Sequence, residues 1–540
     1  MANSSRMAAL ASNEKEPAKE STIPLDIEVS SENVIQNADN ADGTLAFLEE
    51  HDHEFSDAKI ADEDYSNIVK KVNWNLMPLL IAITTLMFMD KTVLSYASIM
   101  GLFKSTNLTD SLYDDLNSIF YTGYTIGSFM NLILQRYNLK KFLNVIIFTW
   151  GAIVFLHAAA FNFGGLVVLR FFLGFFESVI IPLLEVTMAQ FYTPKDRATM
   201  QPIFWTGCVG FPVVISGFIA YGCLHVKNSI PPWRIFMIIN GGVTVIMNVV
   251  CVIWYPSDPS DAHFLTTKEK YFLIKRVQKE SKASITQSTV KKYQIVECLK
   301  DPISWLFTLF CFSLMLSNNL TYQQNLLYVS LGVSDLGSTL VSLAGGGFSA
   351  LFALFGAGLI HYFPNNTFWM CLLGCLPSIA GGIGMVAISW ENKLALLAML
   401  VLSANTYFLA YISGFGWSTS SCAGQTKRFV RHFMYSVAYG VSNIVSPQIW
   451  KGNQGTRYYA AWIVQIVLSW LLAPVVAGII TYILKARNQQ RQQYISQHPD
   501  ALTGEVVKID ADTGEQIVEK VDIGLLDLTD LENKAFIYPL

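Results

Sequence analysis

The scarcity of charge over most of the chain is the sequence feature that most constrains its fold. Only 14% of the 540 residues are charged and 52% are hydrophobic, whereas about 25% of a soluble globular chain is charged. The charges are also concentrated, because residues 1–70 hold sixteen acidic and five basic residues, and residues 256–301 hold nine basic and six acidic ones. A helix that crosses a bilayer needs about 20 apolar residues. The chain is therefore predicted to cross a membrane many times, and its composition excludes a soluble enzyme, a nucleic-acid binder and a disulfide-rich secreted domain.

Twelve apolar runs are long enough to be transmembrane helices. They cover 76–98, 115–135, 142–161, 164–190, 200–222, 233–255, 302–326, 337–362, 367–389, 394–416, 430–450 and 459–484. The pattern predicts an all-α membrane protein whose twelve transmembrane helices form two six-helix halves, 73–255 and 302–484. The central loop 256–301 should include a short surface helix over Lys268–Lys279. We expect the acidic N-tail, residues 1–72, to be disordered because it is poor in aromatic residues, and the C-tail, residues 485–540, to be similar.

The loops predict an orientation, since Lys and Arg collect on the cytoplasmic side of membrane proteins. Basic residues precede the first run, follow the second, fourth and twelfth, fill the central loop and precede the eleventh. Both termini should therefore be cytoplasmic. The first outer loop is predicted to contain Asp110, Asp114 and Asp115, and it also carries a possible glycosylation site at Asn107, in Asn107-Leu-Thr109.

Charged residues inside the predicted helices need a partner or a task, because a charge in hydrocarbon costs at least ~2.5–3.5 kcal/mol on insertion scales. Asp90 and Lys91 lie in the first helix, unless that helix ends early and the pair sits among headgroups. Arg170 and Glu177 share one face of the fourth helix with Gly174. They are separated by about 10 Å along the axis, so each should meet a group on another helix. The alternative is a static ion-pair lattice.

Uncharged polar residues within other runs suggest a central cavity. Candidates are Tyr121 and Tyr124 in the second helix, Asn319 and Gln323 in the seventh, and Asn443 in the eleventh. Each could equally be an interhelical contact, but as a set they favour a water-lined site between the two halves, where transporters of this layout bind substrate. No Walker loop, HExxH or GxSxG sequence is present, so we expect neither an ATP-driven pump nor a metal or catalytic centre.

These residues resemble a known family. A first-helix Asp followed by a base, together with R-x-x-L-G-x-x-E in the fourth helix, is similar to the anion:cation symporter branch of the major facilitator superfamily, and within it to the fungal allantoate-permease group. Further resembling stretches are TLAFLEE, MDKTVLSYASIMGLF, LRFFLGFFESVIIP, YQQNLLY, LGSTLVSLAGGGF, VSNIVSPQIW, AWIVQIVLSWLLAP and the final DLTDLEN and FIYPL. The resemblance implies the major facilitator fold.

It also implies import of a small carboxylate-bearing solute with protons. Asp90 and Glu177 would couple protons, and Lys91 and Arg170 would bind the substrate carboxylate. Two positions depart from the family: Lys91 stands where many members have Arg, and Gln135 stands where an acid is usual in the loop LQRYNLKK.

The function that the resemblance implies is proton-coupled import of cysteine or a related small organic acid across the plasma membrane, by a monomer in the lipid bilayer, with no cofactor besides the coupling proton. The alternatives are import of allantoate, nicotinate, pantothenate or a sulfonate, and a nutrient receptor that binds without transport. A passive channel is disfavoured because no repeated filter sequence is present.

Overall fold

A computed structural model describes ten ranges of the chain. They are residues 43–55, 62–132, 138–226, 229–281, 291–363, 366–450, 457–498, 503–509, 516–522 and 528–540. The predicted disorder of the first 42 residues and the predicted loop around Gln135 lie outside these ranges.

Twelve helical spans follow one another in the described residues, in the order that the apolar runs predict. Spans 1 to 6 are Met77–Ile99, Asp110–Gly127, Leu139–His157, Phe163–Glu177 with Ile180–Phe191, Pro194–Thr206 with Phe211–His225, and Pro232–Trp254. Spans 7 to 12 are Pro302–Met315 with Leu320–Ser330, Asp335–Tyr362, Thr367–Ala387, Lys393–Ala404 with Phe408–Ser420, Gln425–Ile449, and Tyr459–Val464 continued through Gln465–Leu471 to Leu472–Gln497. Short helices also cover Leu102–Thr106, Ser128–Leu132 and Pro259–Asp261. The prediction of twelve helices is confirmed.

Among the described residues, nine of the spans are long and apolar enough to cross a membrane, judged by length and composition alone. The three others are spans 2, 5 and 11. Span 2 falls short because Asp110, Asp114 and Asp115 belong to its helix, so their predicted place in an outer loop is wrong. Span 11 begins five residues before its predicted run and includes Lys427 and Arg431.

Four spans are interrupted partway along their length. Span 4 breaks at residues 178–179, just before Pro182, and span 5 breaks at residues 207–210, just before Pro212. Spans 7 and 10 break at residues 316–319 and 405–407. Broken helices release main-chain and polar side-chain groups at membrane depth, which is tolerated where they border a cavity or are buried in protein.

Glycines allow close helix packing at two places. A side chain at Gly174 in span 4 would overlap the main-chain oxygen of Phe120 in span 2, and one at Gly123 would overlap that of Phe171. Between the halves, Gly210 of span 5 has φ +77° and lies against the main chain of Gly346 in span 8. Small residues of this kind bring membrane helices into van der Waals contact.

Both predicted tails contain ordered structure, which corrects the expectation of disorder. The helix Gly43–Phe55 lies within the predicted N-tail, and the helix Asp62–Asn75 begins in it. The second helix is held because Tyr65 donates a hydrogen bond to Asp196 at 2.9 Å and Lys71 pairs with Glu269 at 2.5 Å. Glu269 belongs to the helix Thr267–Ser281, which confirms the predicted central-loop helix.

The predicted C-tail also contains ordered segments, because span 12 continues to Gln497. A separate unit contains the antiparallel strands β1, Thr503–Ile509, and β2, Gln516–Asp522, with Thr503 opposite Asp522. Residues 528–540 pack on the six-helix half formed by spans 7 to 12. We call the end of the two halves that carries the N-terminal helices and residues 528–540 the tail end, and the end with the loop around Asn107 the opposite end.

Candidate functional site

A buried ion pair joins the first and fourth spans. The Lys91 Nζ lies 3.3 Å from Glu177 Oε1, and the two side chains are 8% and 0% exposed. Glu177 ends the first half of span 4, next to the break. The expectation that the carboxylate meets a group on another helix is therefore confirmed, and the alternative that Lys91 lies among headgroups is wrong.

Aromatic rings surround the Lys91 ammonium. Its Nζ lies 4.4 Å from the ring centre of Phe88, 5.7 Å from Tyr124 and 5.8 Å from Tyr439. The first two rings belong to spans 1 and 2 and the third to span 11, so the cation is enclosed by both halves of the protein. Such cation–π contacts are worth about 0.5–2 kcal/mol each, and they compensate part of the cost of burying the charge.

Asp90 and Arg170 are buried but are not directly paired. Each is 2% exposed. Asp90 Oδ2 and Arg170 Nε have no hydrogen-bond partner in the described part of the chain. Among Asp90, Lys91, Arg170 and Glu177, the ion pair within 4.0 Å in the described residues is Lys91–Glu177. Arg170 therefore forms no ion pair within 4.0 Å in those ranges, and the expectation that it meets a group on another helix stays a prediction.

A cavity with about 130 Å³ of space for water lies between the two halves. Lys91, Tyr121 and Tyr124 line it as predicted. Polar residues of the seventh and tenth runs also line it, namely Asn318, Gln324, Asn405 and Tyr407. Lining residues that the sequence did not single out include Trp205, Cys208, Tyr322, Tyr411, His432 and Tyr439. Among the lining residues that are described, Lys91 is the one that carries a full positive charge, and no Asp or Glu is among them.

Three predicted polar residues lie outside this lining. Gln323 Nε2 donates to Asp114 Oδ1 at 2.6 Å, and the Asn319 side chain is buried without a partner in the described ranges. Asn443 accepts a hydrogen bond of 2.6 Å from Asn318, which also donates to the Tyr121 hydroxyl at 3.0 Å. Asn443 orients the lining residue Asn318. Asn319 and Gln323 thus do not line this cavity, and Gln323 makes the interhelical contact that the sequence allowed as the alternative. The reason is the break at 316–319, because a continuous span 7 was assumed.

Hydrogen bonds between the two halves close the opposite end. Asp114 accepts from Gln323, and Asp115 accepts from Gln448 at 3.1 Å. Asn325 donates to Ser95 at 3.1 Å. Nearer the cavity, the hydroxyls of Tyr121 and Tyr322 lie 3.0 Å apart. These bonds extend from the outer turn of span 2 to its middle, so the cavity is sealed from the side that carries Asn107.

Asn107 itself is exposed in the loop after span 1, with φ +53°. Its glycosylation stays a prediction.

Comparison with known proteins agrees with this architecture. The sequence pattern of the Major Facilitator Superfamily matches residues 80–447. The chain is 41% identical to a high affinity cysteine transporter of Saccharomyces cerevisiae over 520 residues, which covers 95% of this chain and 97% of the relative. It is 27% identical to an allantoate permease of the same yeast, over 94% of this chain and 92% of that one.

Solved structures resemble the fold. A D-xylose-proton symporter aligns with a TM-score of 0.58 at 14% identity, over 76% of this chain and 97% of its own. An inward-facing bacterial homologue of the lysosomal transporter Spinster aligns with a TM-score of 0.55 at 15% identity, over 76% and 96% of the two chains. Two six-helix halves around a central polar cavity, a family pattern over most of the chain and a close transporter relative together lead to one conclusion: this chain belongs to the major facilitator superfamily, whose members are membrane transporters and not enzymes.

Proposed function

We propose that this protein imports cysteine across the plasma membrane together with a proton. The observation that carries the proposal is the buried Lys91–Glu177 pair, whose cation faces the cavity while its carboxylate is fully buried. The name of the relative that is 41% identical supports cysteine as the substrate.

The pair gives a physical reason for coupling. A substrate carboxylate and the ionised Glu177 carboxylate compete for one ammonium group on Lys91. When Glu177 takes up a proton, its hold on Lys91 weakens and the ammonium is free to bind the substrate. The substrate carboxylate then takes the place of the Glu177 charge beside Lys91, and the substrate ammonium leaves the loaded cavity one positive charge above the empty one. By thermodynamic linkage, the proton and the carboxylate favour each other's binding.

The cavity also offers partners for the ammonium of an amino acid. Gln324 and Asn318 supply amide groups, and the rings of Tyr411 and Tyr439, 5.7 Å apart, supply faces that attract a cation. Asn318 is already held by Asn443, which orients its amide. We therefore assign Asn318 and Gln324 the role that the sequence suggested for Asn319 and Gln323.

Asp90 and Arg170 act behind this site. Both are buried and neither lines the cavity. Their charges influence the proton on Glu177, whereas Lys91 alone contacts the substrate carboxylate.

The tail end faces the cytoplasm in this proposal, because the Lys-rich loops collect there. The hydrogen bonds at the opposite end then seal the cavity from outside, which corresponds to a conformation that releases substrate inward. All proposed substrate contacts come from one chain, so a monomer is sufficient.

Uptake of labelled cysteine by cells that lack their own cysteine transporter tests the proposal. We expect saturable uptake that increases as the external pH falls and is competed by excess unlabelled cysteine. Uptake of labelled allantoate, nicotinate, pantothenate or a sulfonate, with no uptake of cysteine, would transfer the proposal to that anion. Cysteine binding without flux into vesicles would identify a receptor instead.

A further inference from the structure

Residues 529–540, which we call the terminal segment, occupy a groove at the tail end of spans 7 to 12. Thr529 and Asp530 are both 0% exposed, and Tyr538 is 2% exposed. A polar segment buried to this degree must have its charges and main-chain groups satisfied.

Asp530 enters a cluster of buried charges at the start of span 11. Its Oδ1 lies 2.8 Å from Lys427 Nζ, and Glu297 and Asp301 lie 2.7 and 3.6 Å from the same nitrogen. Arg431, one turn further along span 11, pairs with Asp301 at 2.9 Å. The terminal segment thus supplies one of the three carboxylates that neutralise Lys427.

The rest of the segment is recognised mainly through its main chain. The Asn488 side chain donates to Tyr538 O at 2.8 Å and accepts from Tyr538 N at 2.9 Å. Trp417 Nε1 donates to Pro539 O at 2.9 Å, and Thr367 N donates to Leu540 O at 3.2 Å. These donors and acceptors come from spans 9, 10 and 12.

The remaining contacts fix the shape of the segment. Arg491 donates to the main-chain oxygens of Asp530 and Phe536. The Tyr538 hydroxyl donates to Asp530 Oδ2 at 2.8 Å. Main-chain hydrogen bonds combined with pockets for a few side chains are the way in which proteins recognise peptides.

We propose that this groove is a peptide-binding site whose ligand is the terminal segment, and that its occupancy fixes the position of span 11 and hence the rate of transport. Lys427 lies at the start of span 11, and the same helix supplies His432 and Tyr439 to the cavity. Without Asp530, Lys427 and Arg431 share Glu297 and Asp301 with Arg487, which pairs with Asp301 at 3.2 Å. Repulsion among these buried cations displaces the start of span 11.

The substitution Asp530→Asn in the full-length chain tests this, because it keeps the side-chain shape and removes the charge. A spin label at Ile537→Cys, a position that is 42% exposed, reports motion of the segment in purified protein. We expect the mobile fraction of the label to rise at least fivefold in Asp530→Asn. Leu531→Ser, at a position 41% exposed, is the matched control and should leave the label immobile.

Binding in trans gives the second measurement. A fluorescent peptide with the sequence of residues 528–540 should bind Asp530→Asn protein, whose own segment is loosened, and should bind the parent at least tenfold more weakly because the attached segment competes at high effective concentration. The same peptide carrying D530N should also bind at least tenfold more weakly. The maximal uptake rate should fall at least threefold in Asp530→Asn, with the apparent substrate affinity unchanged.

An immobile label in Asp530→Asn, equal binding of both peptides to it, or an unchanged uptake rate would overturn the proposal. If Asp530→Asn does not fold, Tyr538→Phe replaces it, since it removes only the hydroxyl, which donates to Asp530 and accepts from Arg487 and Arg491. It should mobilise the label at least twofold, and an unchanged label would equally overturn the proposal. These outcomes do not depend on which solute is carried.

Discussion

Replacing Glu177 by glutamine keeps the size of the side chain and removes the negative charge beside Lys91. The two groups are 3.3 Å apart and 8% and 0% exposed, so solvent screens their interaction weakly. In the parent, the ionised carboxylate occupies the ammonium that we assign to the substrate. In Glu177→Gln the ammonium has no competing charge at any pH.

The size of the effect follows from Coulomb's law. Two unit charges 4 Å apart interact by about 4 kcal/mol at an effective dielectric constant of 20. This value lies within the range of about 1.5–7 kcal/mol found for close charge pairs in interfaces. At about 1.4 kcal/mol per tenfold change, ionised Glu177 should weaken binding of a carboxylate by up to about a thousandfold relative to neutral Glu177.

Direct binding and counterflow are the assays. The affinity of purified parent protein for substrate should rise as pH falls from 8 to 5, whereas Glu177→Gln should bind tightly at both pH values. Glu177→Gln vesicles should keep counterflow and lose uptake driven by a pH gradient. Glu185→Gln is the matched control, because Glu185 lies in the same span and accepts a hydrogen bond from Gln201 instead; it should retain the pH dependence. A Glu177→Gln protein whose affinity still follows pH as the parent's does would refute the reasoning.

Three further outcomes follow from other contacts. Lys91→Ala should raise the apparent dissociation constant for substrate about ten- to a hundredfold, since a hydrogen bond to a charged group is worth about 1.5–3 kcal/mol; an equilibrium binding assay measures this, and unchanged affinity would make Lys91 structural. Gln323→Ala removes the 2.6 Å hydrogen bond to Asp114 and should shift the population toward opening at the opposite end, which distances between paired spin labels across that end would report; an unaltered distance distribution would contradict a gating role. Burial opposes ionisation of Asp530, but the charge of Lys427 prevails and holds the pKa of Asp530 below its usual value. Because a lowered pKa stabilises the docked state above the unfolded value of about 3.9 and the effect is lost only as pH falls through the folded value, the spin label at position 537 should stay immobile from pH 8 to pH 5, and release within that interval would contradict the assignment.

The sequence predicts the parts of the fold that depend on long apolar runs. All twelve spans appear in order, because a helix in a bilayer must be long and apolar whatever its neighbours are. Span 2 begins at Asp110, five residues before its predicted run, because its acidic first turns do not belong to an apolar run. Its first turns carry Asp114 and Asp115, which are satisfied by Gln323 and Gln448 of the other half, and no local pattern reveals partners more than 200 residues away.

The site was predicted in part. Lys91 and Glu177 were found because a charge in a span needs an explanation, and each proved to be the other's partner. Asn319 and Gln323 were chosen in place of Asn318 and Gln324, because adjacent helix positions point about 100° apart and the break in span 7 changes which of them faces the cavity. A run of polar residues indicates such a break, but it does not show which of those residues face the cavity.

The ordered C-terminal segment was missed for a different reason. Its composition is that of a solvated tail, and its order depends on buried basic residues in other parts of the chain. Lys427 and Arg491 predict the membrane orientation from their sequence positions, and in the structure they also bind Asp530. A basic residue near a helix end can have either role, and sequence alone does not separate them.

Charge movement during cysteine uptake tests the central claim most directly. Near pH 5 cysteine has no net charge, since its amine is protonated and its thiol, with a pKa near 8.5, is neutral. Entry of one proton with each cysteine therefore moves one positive charge inward, and 100 mV across the membrane adds about 2.3 kcal/mol to its accumulation. In voltage-clamped proteoliposomes we predict an inward current that rises with cysteine flux and is absent in Glu177→Gln. Electroneutral cysteine uptake, or an undiminished current in Glu177→Gln, would contradict the account.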